Sequence, residues 1–415
     1  MDATLDKQEP VKLTFSGYQK FVIGILAFLQ FTIILDFMII SPLGAIVIPT
    51  LHISPRQFGW AVSSYAFSAA LSGISAAGFA DRFDRKRLLL FFYGGFIFGT
   101  ALCALAPNYH FLLLARIVTG LFGGVIGSVV LAIATDLFPL EMRGRVMGFV
   151  QTAFAAAQVL GLPAGIYFAN LWSWHAPFAA IIAIALPASL VIMLYMKPVA
   201  AHLKLKQEHS PWGHLARTLF EPKYTLAFAA TALLATGGYM LMPFGSAFIV
   251  NNVRLSLHNL PTIYLVTGLC TVFTGPLVGK ASDRFGKFRT FFFGTVVTLI
   301  MVAIWTNLGP VSLATVIIIN VLLFVGIFSR MIPSQALISA IPEVTKRGSF
   351  NAIGASLQQF SGGIASMAAG MIIVQSSTGQ LQHFNWLGYI VMTTALLGLI
   401  LMYFIHKAVP ERLAR

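Results

Sequence analysis

Charge is what this sequence has least of. Asp, Glu, Lys and Arg make up 10% of its 415 residues, and only 13 are acidic; soluble domains carry about 25% charged residues. So little charge cannot coat a water-facing surface of this length. Cysteine is almost missing too: Cys103 and Cys270 each sit inside an apolar stretch, which suits packing and not a disulfide framework or a metal site. There is no glycine-rich P-loop, so ATP is not the expected energy source. Paired carboxylates, a His–Glu metal cluster or a Ser–His pair at membrane depth are absent, and the nine histidines scatter over loops and helix ends. No enzyme, metal or cofactor is expected. Nor is there the strict apolar–polar alternation of a membrane β-barrel.

What the chain has is apolar length. Hydrophobic residues make up 58%, mean hydropathy is +0.84, and runs of about 20 apolar residues recur throughout, as membrane-crossing helices require. The polar start MDATLDKQEPVKLT precedes a run too long for a cleaved signal. Polar breaks leave twelve spans, near 17–49, 57–79, 88–106, 109–137, 145–169 and 177–196, then 224–251, 261–281, 290–307, 311–340, 349–374 and 386–406. The polar stretch AGFADRFDRKR (Ala77–Arg87) returns as GKASDRFGKFR (Gly279–Arg289), and Arg143-Gly144 returns as Arg347-Gly348. Those offsets, 202 and 204 positions, mark two homologous halves. The fold expected is all-α: twelve transmembrane helices in two pseudo-symmetric six-helix bundles. Residues 1–16 form an N-terminal tail, 17–196 the first bundle, 197–223 a linker, 224–406 the second bundle and 407–415 a C-terminal tail. Leu and Trp among Lys and His in the linker suggest an amphipathic helix on the membrane surface.

Every Lys and Arg except Arg56, Arg116, Arg254 and Arg330 falls on one side of this arrangement, in the tails, the linker or the loops on that side. The positive-inside rule makes that side cytoplasmic, with both termini inside, and accounts for the net charge of +14 without a nucleic-acid surface. Compact loops and short tails favour a bacterial inner membrane. Every Asp and Glu but one lies in tails, cytoplasmic loops or cytoplasmic helix ends; the exception is Asp36, mid-span in FLQFTIILDFMIISPLGAIVIP. A carboxylate there costs at least about 2.5–3.5 kcal/mol and belongs against a cavity or a partner. Desolvation and a nearby guanidinium pull its proton affinity in opposite directions, so Asp36 is a candidate proton or substrate site, the alternative being a residue held by helix-packing hydrogen bonds. Arg116 precedes Gly120, Gly123 and Gly124, which admit a close neighbouring helix, and could reach a carbonyl or Asp36. Asp36 lies roughly 20 Å, and Arg116 about 10 Å, from the outer ends of their spans; contact therefore needs tilt or a kink, for which Ser41-Pro42 is placed. Arg330, well within the tenth span, is placed either to bind an anionic group or to extend toward the cytoplasmic face.

These residues resemble the major facilitator superfamily over nearly the whole chain, most of all its twelve-helix drug:proton antiporters. The loop between the second and third helices resembles the family pattern G-x-L-a-D-r-x-G-r-k through Asp81, Arg82, Arg85 and Lys86, with Ala77 and Asp84 where the family has glycine. The second copy keeps Gly279 and Gly286 around Asp283 and Arg284. The resemblance implies a charge cluster of Asp81 and Arg85 with Asp136 that latches the bundles when the cavity opens outward. It implies a proton-coupling role for Arg116 in ARIVTG. AQVLGLPAG resembles the antiporter-associated fifth-helix motif through Gly161, Pro163 and Gly165, with Leu162 where the family has glycine before the proline.

Candidates for the cavity lining are Gln30, Asp36 and Phe37 on the first helix and Tyr65 on the second. Tyr239, Met240, Met242 and Phe244 follow on the seventh, Arg330 on the tenth, and Asn351, Gln358 and Gln359 on the eleventh. Few polar residues lie within the spans, which argues for an amphipathic or lipophilic solute over a sugar. The expected activity is proton-coupled efflux by alternating access, with a small-molecule substrate, protons and the bilayer as partners, a proton gradient as energy source and a monomer as the working unit. A lipid, lysolipid or anionic-metabolite carrier, an uptake symporter and, remotely, a non-transporting receptor are the alternatives.

Overall fold

The computed structural model describes residues 14–76, 79–204, 217–343 and 346–409. The outer parts of both tails, Ala77 and most of the expected amphipathic linker lie outside the described residues. Helix dominates because a chain surrounded by hydrocarbon must satisfy every backbone N–H and C=O within itself.

In the first half, α1 (Gly17–Ile39) and the short α2 (Gly44–Thr50) form one interrupted span, followed by α3 (Pro55–Ala76), α4 (Arg85–Ala104) and α5 (Tyr109–Leu137). Then come α6 (Leu140–Ala156), a π-turn at Ala157–Gly161, α7 (Leu162–Leu171) and α8 (Ala176–Tyr195). The second half runs α9 (Pro222–Asn251), α10 (Leu260–Phe285), α11 (Lys287–Trp305), α12 (Leu313–Ser339), α13 (Arg347–Ile372) and α14 (Phe384–Ala408). A two-stranded antiparallel hairpin, β1 (Val374–Gln375) with β2 (Leu381–Gln382), joins the last two helices.

Helix pairing repeats between the halves. The pairs α1–α6, α1–α8, α3–α5, α4–α5 and α4–α8 have counterparts α9–α13, α9–α14, α10–α12, α11–α12 and α11–α14. This is the duplication seen in the loops, now as packing, and the chain is two pseudo-symmetric six-helix bundles. Large apolar side chains such as Phe91, Phe98, Leu190, Phe273, Phe293 and Phe404 point outward, as lipid-facing surface does.

Ten continuous helical segments among the described residues are long and apolar enough to cross a membrane; α3 and α13 are not among them. Both are rich in Gly, Ala and Ser, and they pack closely against each other between the halves. Gly59 lies against Gly370 and Gly73 near Ser356, while the Ser63 hydroxyl donates to the Gly363 carbonyl at 2.7 Å. Small residues let two backbones touch, and the cost is apolar character.

The end at which α1 begins and α14 finishes is the basic end, and the opposite one the far end. At the basic end, Arg143 donates to the carbonyls of Thr135 and Phe138 and closes α5. Tyr18 accepts from the Lys197 amide, tying α1 to the segment after α8.

Candidate functional site

Asp36 sits one turn before the break at residues 40–43, where Pro42 cannot continue the backbone ladder. Its side chain is wholly buried, as is that of Arg116 on α5, and the two meet at 3.0 Å between Oδ2 and Nη1. Nη1 also reaches the Asp36 carbonyl at 3.4 Å, and the Thr100 hydroxyl on α4 donates to Oδ1 at 3.1 Å. Simple counting along ideal helices set Asp36 deeper than Arg116. The break after Ile39 shortens the far part of the first span, and the Arg116 side chain covers the remainder. Gly120 and Gly124 allow α5 to press on the backbone of α3 at Tyr65 and Ala69, which delivers the Tyr65 ring to 4.5 Å beneath the Arg116 guanidinium. Nε and Nη2 of Arg116 are buried without a hydrogen-bond partner among the described residues.

A line of rings leads from this pair to the other half. Phe37, next in sequence to Asp36, lies 5.2 Å from Tyr65 and 5.6 Å from Tyr239 of α9. The Tyr239 hydroxyl donates to Gln359 on α13, and its carbonyl accepts from Ser366 at 2.8 Å. Gln359, and not Gln358, therefore makes the Tyr239 contact; Gln358 is exposed on a stripe with Asn351, away from the outward-facing Phe360 and Ile364. Gln30 and Met242 are half-buried, and Met240 is buried. Phe244 is fully enclosed and packs edge-on against Phe58 at 5.9 Å. Arg330 stands apart from Asp36, in the second bundle over the Phe291 ring of α11.

At the basic end, Arg85 gathers the charges of its loop. It meets Asp81 at 2.7 Å and Asp136 at 3.1 Å, and donates to the Ala80 carbonyl. His202, beyond α8, approaches Asp136 at 3.2 Å and the Phe83 carbonyl at 3.1 Å. Asp84, where the resemblance expects glycine, caps α4 by accepting from the Arg87 amide at 2.9 Å. Of the other expected latch residues, Lys86 leaves the cluster for the Met193 carbonyl. Arg82 makes no charge contact recorded among the described residues, and Arg284 lies over its neighbour Phe285. Asp283 joins no ion pair there either.

The fifth-helix motif explains the π-turn. Pro163 has no N–H, and the Leu162 amide bonds back to Ala157, five residues away. Gly161 and Gly165 face Leu35 and Ile39 of α1 so closely that a Cβ at either would have to displace their terminal methyl groups. The turn also presents Gln158, which sequence reasoning missed: it is buried, accepts from Thr271 of α10 at 3.2 Å, and lies with its backbone against Gly268. A buried glutamine beside a glycine-proline motif was the only signal. Further hydrogen bonds between the halves join Ser246 with Ser41 and Ala45, and Asn170 with Leu257. These contacts lie in the far half of the molecule. An open groove of about 620 Å³ at that end, lined by Ile48, His52, Arg56 and Gln375 among others, contains none of the expected site residues.

The sequence matches the family model described as Major Facilitator Superfamily over residues 26–365 and 227–415. The uncharacterized MFS-type transporter YbcL of Bacillus subtilis (strain 168) is 24% identical over 391 residues, covering 92% of this chain and 95% of that protein. Multidrug resistance protein 3 of the same organism is 31% identical over 217 residues, 51% of this chain and 39% of its own length. Among solved structures, a bacterial homolog of the human lysosomal transporter Spinster, inward-facing and unoccupied, has a TM-score of 0.68 at 16% identity, covering 94% of this chain and 96% of its own. The nucleoside transporter NupG has a TM-score of 0.72 at 13% identity, with 93% and 99% covered.

Proposed function

The chain belongs to the Major Facilitator Superfamily, a secondary transporter working by alternating access, and we propose that it exports an amphipathic or lipophilic small molecule in exchange for protons. The observation that carries this reading is the wholly buried Asp36–Arg116 pair. In this reading the basic end faces the cytoplasm of a bacterial inner membrane, a monomer is the working unit, and the halves 17–196 and 224–406 rock about a midplane site. The far-end contacts of α3 with α13 and of the π-turn with α10 form the closed outer gate.

Asp36 is the proton carrier. Ionised, it holds Arg116; protonated, it releases the guanidinium, whose remaining donors then seek other acceptors. The ring contact of Phe37 with Tyr239 carries that change to the second half, so that the proton and the solute favour different states. Such differential affinity is what coupling requires. Asp81, Arg85 and Asp136 serve as the basic-end latch of the opposite state. Within the far-end-closed arrangement their partners come from the first half and from His202, which leaves the halves free to part there. Likeness to Multidrug resistance protein 3 supports efflux over uptake.

The test is proton release from the purified protein in weakly buffered detergent as a lipophilic cation, acid or neutral solute is added. Release by the wild type, lost in Asp36→Asn while that variant stays folded, is the expected result. Undiminished release from Asp36→Asn would remove this carboxyl from the mechanism, and solute binding without release would replace exchange by a uniport or lipid-carrier cycle.

A further inference from the structure

The second bundle encloses a cation that no acidic group among the described residues balances. Arg330 is 8% exposed and lies on the buried face of α12, in register with Leu323, Gly326, Ser334 and Leu337. Its Nε is buried without a partner, and no hydrogen bond or ion pair of its guanidinium is recorded among the described residues. The Phe291 face lies 5.7 Å from the guanidinium carbon. Phe291 belongs to an apolar cluster with Ala230, Leu337 and Met402. The acidic groups described in this half lie toward the basic end, where Glu221 holds Lys346 at 2.9 Å and Glu343 holds Lys223 at 3.5 Å. Arg330 is nine residues from the end of α12, about 13 Å deeper along the helix axis. None of those carboxylates is its counter-ion.

A buried guanidinium left unpaired is costly, and such intramembrane charges are retained where a function needs them. Gly398 of α14 lies beside it, where a built Cβ would stand in ordinary van der Waals contact with the Arg330 Nη2 at 3.8 Å. A fork of donors against an apolar wall fits a planar oxyanion carried on an apolar body.

We propose that Arg330, with the Phe291 face beside it, is the subsite for the acidic group of the transported solute, which makes that solute an amphipathic oxyanion: a carboxylate, sulfonate or phosphate on a lipophilic body. This names the substrate class of the transporter proposed above and depends on its being one, but not on Asp36 carrying the proton. Two charges then divide the work: Asp36 and Arg116 handle the proton in the first half, and Arg330 selects the solute in the second.

The experiment uses the full chain in phosphatidylcholine nanodiscs and three ligands with one apolar body: naphthoate, naphthylmethylammonium and naphthalenemethanol. Wild type should bind naphthoate in preference to the other two. Arg330→Gln should weaken naphthoate roughly tenfold or more and leave naphthalenemethanol unchanged, with Arg330→Lys retaining part of the preference. Without ligand, Arg330→Gln should unfold at or above the wild-type temperature, because the empty site holds an uncompensated charge. Competition from phosphatidylglycerol added to the nanodisc would identify the oxyanion as a lipid head group; no competition would identify it as a free solute.

No preference for naphthoate, or equal naphthoate affinity in Arg330→Gln, overturns the proposal. So does an Arg330→Gln chain that unfolds well below wild type or fails to fold, since the guanidinium would then be structural. Asp36→Asn separates the two readings. It should keep the naphthoate preference while losing proton release, so a failure of coupling and a failure of the anion subsite show in different variants.

Discussion

Arg116 and Arg330 each lie on the fourth long span of their half, and the two halves treat them oppositely. Arg116 is 0% exposed with a carboxylate 3.0 Å away, a tyrosine face beneath it and a threonine steadying the carboxylate. Arg330 has a phenylalanine face and no acid. Their depths differ too, seven residues from the start of α5 against seventeen from the start of α12. Duplication preserved the helix pairing and let the charge chemistry diverge. The packing of a bundle is thus a property of both copies, while its polar interior belongs to one.

The sharpest way to break the comparison is to remove each arginine. Arg116→Leu leaves Asp36 buried without a counter-ion and should cost about 3–5 kcal/mol at neutral pH, and less as the pH falls, because a protonated carboxyl needs no cation. Adding Asp36→Asn should recover most of it. Arg330→Met should cost less than about 1 kcal/mol or stabilise the chain, because no partner is stranded. Reversible unfolding of the three variants in detergent measures the difference; equal losses at the two arginines would abolish the distinction.

The interface between the halves gives the next effect. Gly370 on α13 and Gly268 on α10 each meet a backbone carbonyl across the interface, at Pro55 and Gln158, where an added Cβ would come to 2.7 and 2.9 Å. Main-chain atoms cannot step aside, so a valine at either position should cost about 1–3 kcal/mol in this arrangement. The larger consequence is a shift toward the far-end-open state, read by the accessibility of a cysteine placed at Ser63 to a membrane-impermeant thiol reagent.

How much of this could be read beforehand follows from range. Charge placement, the repeat and the twelve spans depend on local composition, and Asp36, Arg116 and the glycines after it stood out because polar or small residues are conspicuous against apolar ones. The partners did not. Thr100 as the ligand of Asp36, Gly363 as the acceptor for Ser63 and Thr271 as the donor to Gln158 are ordinary residues whose role comes from a helix elsewhere in the chain. Helices α3 and α13 were legible as spans and illegible as a pair, since the small residues that bring them together also dilute their hydrophobicity. Gln358 and Gln359 were equally conspicuous, and only the packing shows that Gln359 meets Tyr239, a difference of 100° around a helix that a list of polar residues does not resolve.

The two basic-end loops offer a smaller contrast. Gly286 adopts φ +96 and ψ 145, a region essentially confined to glycine that costs a side chain about 1–3 kcal/mol, and nothing lies within 4 Å of where its Cβ would be. Gly286→Ala should therefore lose about that amount through the backbone alone. In the first half the same position is Asp84, with φ −55 and a cap to Arg87. Asp84→Ala should cost about 1 kcal/mol and Asp84→Gly only a few tenths. The loops reach one end by different means, a permissive backbone in one copy and a side-chain cap in the other.

The smallest effect belongs to the acids that the two loops share. Asp81 is half exposed and its pair with Arg85 is one short bond on a solvated surface, so Asp81→Asn should cost less than about 1 kcal/mol of stability. Asp283→Asn should cost still less, as Asp283 joins no ion pair among the described residues. Transport separates them from stability. If Asp81 closes the basic end only in the far-end-open state, Asp81→Asn slows exchange while leaving unfolding nearly unchanged, and Asp283→Asn does neither. Equal slowing by both substitutions would mean that the second loop latches as the first does, and that the asymmetry between the halves is confined to their buried arginines.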